Sequence, residues 1–130
     1  MDAVRLAVGD ACVDPVHSIE AAFHFDTRDS FLAEARRVLR PGGKVILTDV
    51  TYRRALADWA PEANIWSGEG EYRRRCEAAG LEVERLEDIT DRTLKPFFAH
   101  ITAHGYGAEA VIQRRAQAAY YFVVLRKPDA

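Results

Sequence analysis

The sequence predicts an α/β fold, and three neighbouring features carry that expectation. Phe31, Ala35, Val38 and Leu39 fall at i, i+4, i+7 and i+8, with Leu32 widening the stripe, which marks an amphipathic helix. Pro41-Gly42-Gly43 then stops it. Residues 44–50 follow as a β-branched, nearly continuous apolar run, the pattern of a strand covered on both faces. Helix, glycine turn and buried strand make half of a βαβ unit, and the rest of the chain continues to alternate between strand-like and helix-like pieces.

In chain order, residues 3–8 form a short apolar run closed by Gly9-Asp10, expected to be a strand and its turn. Residues 15–22 are expected to be a short strand running into a loop that carries Phe23-His24-Phe25. At the start of the first helix, Asp26, Thr27 and Asp29 supply cap candidates and negative charge near the positive end of the dipole. Arg36, Arg37 and Arg40 lie near its other end, where cations are favoured. Residues 53–60 suggest a helical piece and 61–70 a loop. Residues 71–79 form a second short helix, with Tyr72, Cys76 and Ala79 on one stripe and Gly80 as its stop. Residues 81–90 alternate in part, as a strand does. Residues 96–104 place Phe97, Ile101 and His104 at helical spacing before Gly105-Tyr106-Gly107 breaks the pattern. Residues 109–118 are expected to be helical, and 120–125 to be a strand ended by Lys127-Pro128. With no repeat, linker or low-complexity tract, residues 1–130 are expected to form one domain.

Composition narrows the function classes. A chain of 130 residues buries roughly two-thirds of its unfolded surface, so a core needs no disulfide or metal. A net charge of −2 argues against a nucleic-acid binder that relies on bulk positive charge. The longest apolar run, residues 118–125, is far short of a membrane span, and the first residues lack a signal peptide's basic and apolar regions. Cys12 and Cys76 are far apart and outside any metal spacing, so a reduced pair in a cytoplasmic protein is expected. His100 and His104 stand at i and i+4, but no third ligand accompanies them, so a helix face is the better account. Arg73-Arg74-Arg75 and Arg114-Arg115 read as solvated faces. Trp59 and Trp66 fit packing, or the lining of a substrate pocket.

Two stretches resemble a known family. Gly9-Asp10-Ala11 with the segment from Asp14 through Phe25, and Phe31 to Lys44 with the Asp49-ended strand, are similar to class I S-adenosylmethionine-dependent methyltransferases that act on small molecules. Tyr72-Arg73, Ala78-Ala79-Gly80-Leu81 and the final strand ending in Arg126-Lys127-Pro128 look like that family's C-terminal half. The resemblance implies a doubly wound, Rossmann-like sheet of order 3-2-1-4-5-7-6 with the last strand antiparallel. Residues 4–8 would be strand 3, 15–20 strand 4, 44–50 strand 5, 81–90 strand 6 and 120–125 strand 7. The cofactor, S-adenosylmethionine, would lie beyond the carboxyl ends of the central strands. By resemblance, Asp10 would accept the adenine amino group with the Ala11 backbone beside the ring, and Ser18 and Ile19 would sit near the methionine part. His24 would stand near the substrate hydroxyl as base, with Asp49 orienting it or holding substrate.

The family's opening strand, its Gly-x-Gly-x-Gly turn and the acidic end of its second strand have no counterpart in these 130 residues. The stretch between Ala11 and Asp14 is short, and Pro15 stands inside the tripeptide that starts strand 4. An incomplete sheet of strands 4-5-7-6 is therefore expected, with strands 1 and 2 missing and strand 4 at an exposed edge. Such edges are covered or paired, so either the N-terminal segment folds back over it, a homodimer forms, or a partner chain covers it. Methyl transfer to a small-molecule hydroxyl is the leading functional expectation. The alternative is a non-catalytic remnant that acts as a self-associating or partner-binding module. A third possibility is that a second polypeptide completes the site.

Overall fold

A computed structural model describes residues 1–54, 60–108, 111 and 117–129. Its elements are β1 (Val16–Ile19), α1 (Arg28–Val38), β2 (Lys44–Thr51), α2 (Glu69–Ala78), β3 (Glu82–Asp88), α3 (Leu94–Ala103) and β4 (Ala119–Arg126), with single 3-10 turns at Ala22–His24, Glu62–Asn64 and Thr90–Arg92. The sheet order is β1-β2-β4-β3. β1 runs parallel to β2, with Val16 opposite Val45, whereas β4 is antiparallel to both β2 and β3. This is the expected 4-5-7-6 order, with the sequence-last strand in the middle of the sheet.

Each element follows from local chemistry. Thr27 caps α1, its hydroxyl accepting the Ser30 N–H at 3.2 Å. α2 lacks a side-chain cap at Gly68; instead the Glu71 carboxylate reaches back to the Ser67 N–H at 2.6 Å. It ends in a Schellman turn: Leu81 N–H bonds Cys76 C=O and Gly80 N–H bonds Glu77 C=O, with Gly80 at φ +80°. Two cores result. On one face, Val45, Leu47, Tyr121, Val123 and Leu125 pack under Phe31, Leu32, Ala35, Tyr72 and Cys76 from the helices. On the other, Val50 and Tyr120 meet Phe23, Tyr52, Leu94 and Phe98, so α3 covers the carboxyl-end half of that face.

Several expectations need correction. Residues 3–8 are not a strand: apart from a bridge between Asp2 and Arg5, the segment lies as turns along α1. Leu6 N–H bonds the Glu34 carboxylate at 2.8 Å, and Arg37 holds the Leu6 carbonyl at 3.1 Å. A ladder needs a neighbour, and the sheet offers this segment none. Nor do these bonds cover the β1 edge, because they run to the helix. α2 begins at Glu69 and α3 at Leu94, in each case two residues ahead of the start expected from the sequence, Glu71 and Pro96. The helical expectations for residues 53–60 and 109–118 fall largely outside the described residues.

Candidate functional site

β1 and β2 present their carboxyl ends on the same edge of the sheet. Ser18 lies opposite Leu47 and Ile19 opposite Thr48. The Ser18 hydroxyl is buried and has no hydrogen-bond partner among the described residues, whereas Ile19 is 75% exposed. Glu20 then turns the chain, its N–H bonding Thr48 C=O at 2.9 Å while its carboxylate accepts the Tyr120 hydroxyl at 2.5 Å. The next turn carries His24. Its backbone is closed by His24 N–H to Ala21 C=O at 2.9 Å and Phe25 N–H to Ala22 C=O at 3.1 Å. The imidazole is exposed and lies 4.0 Å, centroid to centroid, from the Phe23 ring, which meets Tyr52 edge-on.

Directly beneath this turn is a buried polar cluster. Arg28 and Asp49 are both fully buried, with Nε 2.7 Å from Oδ2. Tyr72 donates its hydroxyl to the same Oδ2 at 2.8 Å. Arg28 Nη1 donates to the Asn64 carbonyl (2.8 Å) and Nη2 to the Val50 carbonyl (3.1 Å), tying the loop before α2 to the end of β2. The guanidinium also stacks over the Trp66 ring at 4.3 Å, and Trp66 and Tyr72 meet edge to face. Asn64, likewise buried, accepts the Arg28 N–H at 2.7 Å and donates to the carbonyls of Phe23 (3.0 Å) and Phe25 (2.7 Å).

Burial sets the proton affinities here. Loss of solvent pushes the Asp49 carboxyl above its ordinary value, against the opposing pull of the Arg28 charge and the Tyr72 hydroxyl. Desolvation, with Asp49 nearby, also raises Tyr72 well above 10. Tyr52 rises to about 12, chiefly through burial and then through the charges of Asp49 and Glu20. Among the described residues, no group of three His, Cys, Asp or Glu converges to hold a metal.

Ser18, Ile19, His24 and Asp49 thus gather at the carboxyl ends of the strands, with the Asp49 side chain turned inward to Arg28 and Tyr72. Asp10 and Ala11 do not join them. Asp10 pairs with Arg37 Nη1 at 2.6 Å, and Ala11 N–H bonds the Arg37 carbonyl at 3.0 Å, at the last turn of α1. Since α1 runs antiparallel to β1 and β2, that turn lies at their amino ends, separated from Ser18 by about the length of the helix, ~16 Å. Of the residues expected to hold S-adenosylmethionine, Ser18 fits, offering an unbonded buried hydroxyl at the right edge. Asp10 and Ala11 do not fit, being held at the other edge, so these residues form only part of a cradle.

Comparison with known proteins agrees with this architecture. A family described as "Methyltransferase domain" matches residues 1–47. "27-O-demethylrifamycin SV methyltransferase" of Amycolatopsis mediterranei is 30% identical over 134 aligned positions, covering 95% of this chain and 49% of that protein. "Methyltransferase GfsG" of Streptomyces halstedii is 31% identical over 102 positions, covering 71% and 37% respectively. Among solved structures, the [4+2]-cyclase SpnF superposes with a TM-score of 0.71 at 25% identity, covering all of this chain and 55% of SpnF. Geranyl diphosphate methyltransferase in complex with SAM gives a TM-score of 0.73 at 19% identity, covering 98% of this chain and 56% of that one. These likenesses support a class I S-adenosylmethionine-dependent methyltransferase. The chain spans about half the length of the relatives it matches, or less. None of its described helices is long and apolar enough to cross a membrane.

Arg28, Asn64 and Tyr72 were missed as site residues. Arg28 left one trace: a cation in the first turn of a helix opposes the dipole, which signals a buried anion to offset it. Asn64 left none, since its partners are a backbone N–H and two carbonyls.

Proposed function

We propose that this chain takes part in S-adenosylmethionine-dependent O-methylation of a hydroxylated small molecule. The observation that carries this is the 4-5-7-6 sheet, with His24 and the orphaned Ser18 hydroxyl on its carboxyl edge. The names "27-O-demethylrifamycin SV methyltransferase" and "Fatty-acid O-methyltransferase", the latter 38% identical over 58 residues, support an oxygen acceptor. The cofactor supplies an electrophilic methyl group on sulfur. His24 takes the hydroxyl proton, its imidazole standing exposed beside the carboxyl edge. Ser18 and Ile19 line the methionine side, and Asp49 acts from below by holding Arg28, which fixes the end of β2. Adenine recognition by Asp10 and Ala11 requires residues 9–11 to leave α1 for the carboxyl edge.

The β1 edge belongs to the same proposal. Glu20 N–H points to β2, so by alternation the backbone groups of His17 and Ile19 point away from it, unpaired by the sheet. A second copy, or a partner chain bearing further strands, pairs there and completes the cradle.

Calorimetry with S-adenosylhomocysteine tests cofactor binding, and light scattering gives the mass. Saturable micromolar binding, followed by transfer of labelled methyl to 27-O-demethylrifamycin SV that His24→Ala abolishes, is the expected result. No binding at millimolar ligand refutes a self-sufficient site. Binding without transfer fits a different chemistry on this fold, as in the named cyclase. A monomer whose mass Ile19→Lys leaves unchanged refutes pairing between copies at the edge.

A further inference from the structure

Asn64 is buried in the loop before α2, and its side chain bonds the main chain on both sides of one residue. Its Nδ2 donates to Phe23 C=O and Phe25 C=O, the carbonyls flanking His24, and its Oδ1 accepts the Arg28 N–H. Its own main chain is fixed as well: Asn64 N–H bonds Pro61 C=O at 2.9 Å, and its carbonyl accepts Arg28 Nη1. Arg28 is in turn locked to β2 through Val50 C=O and Asp49. Among the described residues, two backbone bonds close the 3-10 turn of His24, and the His24 side chain is exposed. The two asparagine bonds therefore hold the peptide planes on both sides of His24.

We infer that Asn64 is a positioning residue: by clamping the carbonyls on either side of His24, it aims the imidazole from the carboxyl edge of the sheet. The inference rests on the proposed role of His24, but the clamp itself can be measured without any methyl transfer. Asn64→Asp keeps the shape and the acceptor for Arg28 while removing both donors. Two hydrogen bonds are lost from one short turn, so exchange of the His24 and Phe25 amides should speed up at least about tenfold. Exchange at Tyr121 and Val123, in the middle of the sheet, should stay within about twofold. The carbon-attached ring signal of His24 should broaden or split as the turn samples other orientations, with His100 and His104 as internal references.

Equal acceleration at the turn and in β4 would mean that Asn64 serves general stability, overturning the positioning role. So would unchanged exchange in the turn together with an unchanged ring signal. If the variant does not fold, the native protein decides: slow exchange of the Asn64 side-chain amide protons supports the clamp, and exchange at the rate of an exposed asparagine refutes it. Failure of the function is separable, because methyl transfer insensitive to His24→Ala removes the base while the exchange result stands.

Discussion

Replacing Arg28 with Met is the sharpest perturbation the structure offers. Methionine fills a similar length of apolar space beside Trp66 but removes the cation that compensates Asp49. With Nε 2.7 Å from Oδ2, the two charges are centred about 4 Å apart, an attraction of about 4 kcal/mol at an effective dielectric near 20. Breaking a buried pair from one side costs about 3–5 kcal/mol, because the remaining charge stays buried. Arg28→Met should therefore lower the urea midpoint by about 2 M at pH 7, given a slope of about 2 kcal/mol per M. The pH dependence gives a second handle. The Asp49 carboxyl is raised in the folded state, so it binds its proton more tightly there than in the unfolded chain. Stability from such a group is fully present below its unfolded value, near 3.8, and is lost as pH rises through the folded value. Without Arg28 the upward push loses its strongest opponent, leaving the Tyr72 hydroxyl and the Val50 backbone, so the deficit should be smallest near pH 4 and grow toward pH 7. Adding Asp49→Asn to the variant should recover a large part of the loss. A cost below about 1 kcal/mol at pH 7, typical of exposed pairs, or a deficit independent of pH, would refute the reasoning.

Burial lifts the Cys76 thiol to about 12 while Cys12 is exposed, so iodoacetamide at pH 8 should label one thiol per native chain and two after unfolding, as counted by mass spectrometry. Gly80→Ala forces a side chain into φ +80° with its Cβ 2.5 Å from Arg36 Nε. About 1–2 kcal/mol should be lost, seen as a melting point lower by several degrees. Glu34 is held at about 2 by Arg37 and the Leu6 N–H. Its depressed value means that the unfolded chain binds the proton first, so the tether of residues 1–10 to α1 weakens as pH falls from about 4.5 toward 2. Amides 4–6 should lose protection in that window ahead of β4, and simultaneous loss would contradict it.

The α1 stripe and the continuous run of β2 were legible in the sequence because they lie where burial is deepest, whereas the order of the strands came from the family resemblance. Residues 3–8 misled because an apolar run records burial, not pairing: Ala3 and Val4 do pack against the core, from the helix side. Of the site, the loop that carries His24 could be read from the residues, whereas the placing of Ser18 and Ile19 at a strand end came from the family resemblance. The inward turn of Asp49 could not, since its partners Arg28 and Tyr72 come from positions 21 residues before and 23 after it. The displacement of Asp10 likewise follows from a tertiary contact, Arg37, that no local pattern announces.

The central place of β4 governs the order in which this protein can be made. β1, α1 and β2 form a local unit within residues 16–51, able to assemble while synthesis continues. Among the described residues, however, β3 has no neighbour in the sheet but β4, and the Glu20–Tyr120 bond joins positions 100 residues apart. Until residues 119–126 emerge from the ribosome, β2 and β3 each present a bare edge and neither core can close. Such non-local closure is slow and leaves the nascent chain open to aggregation. A chain cut short just before β4 would lose not a fringe of the domain but its middle.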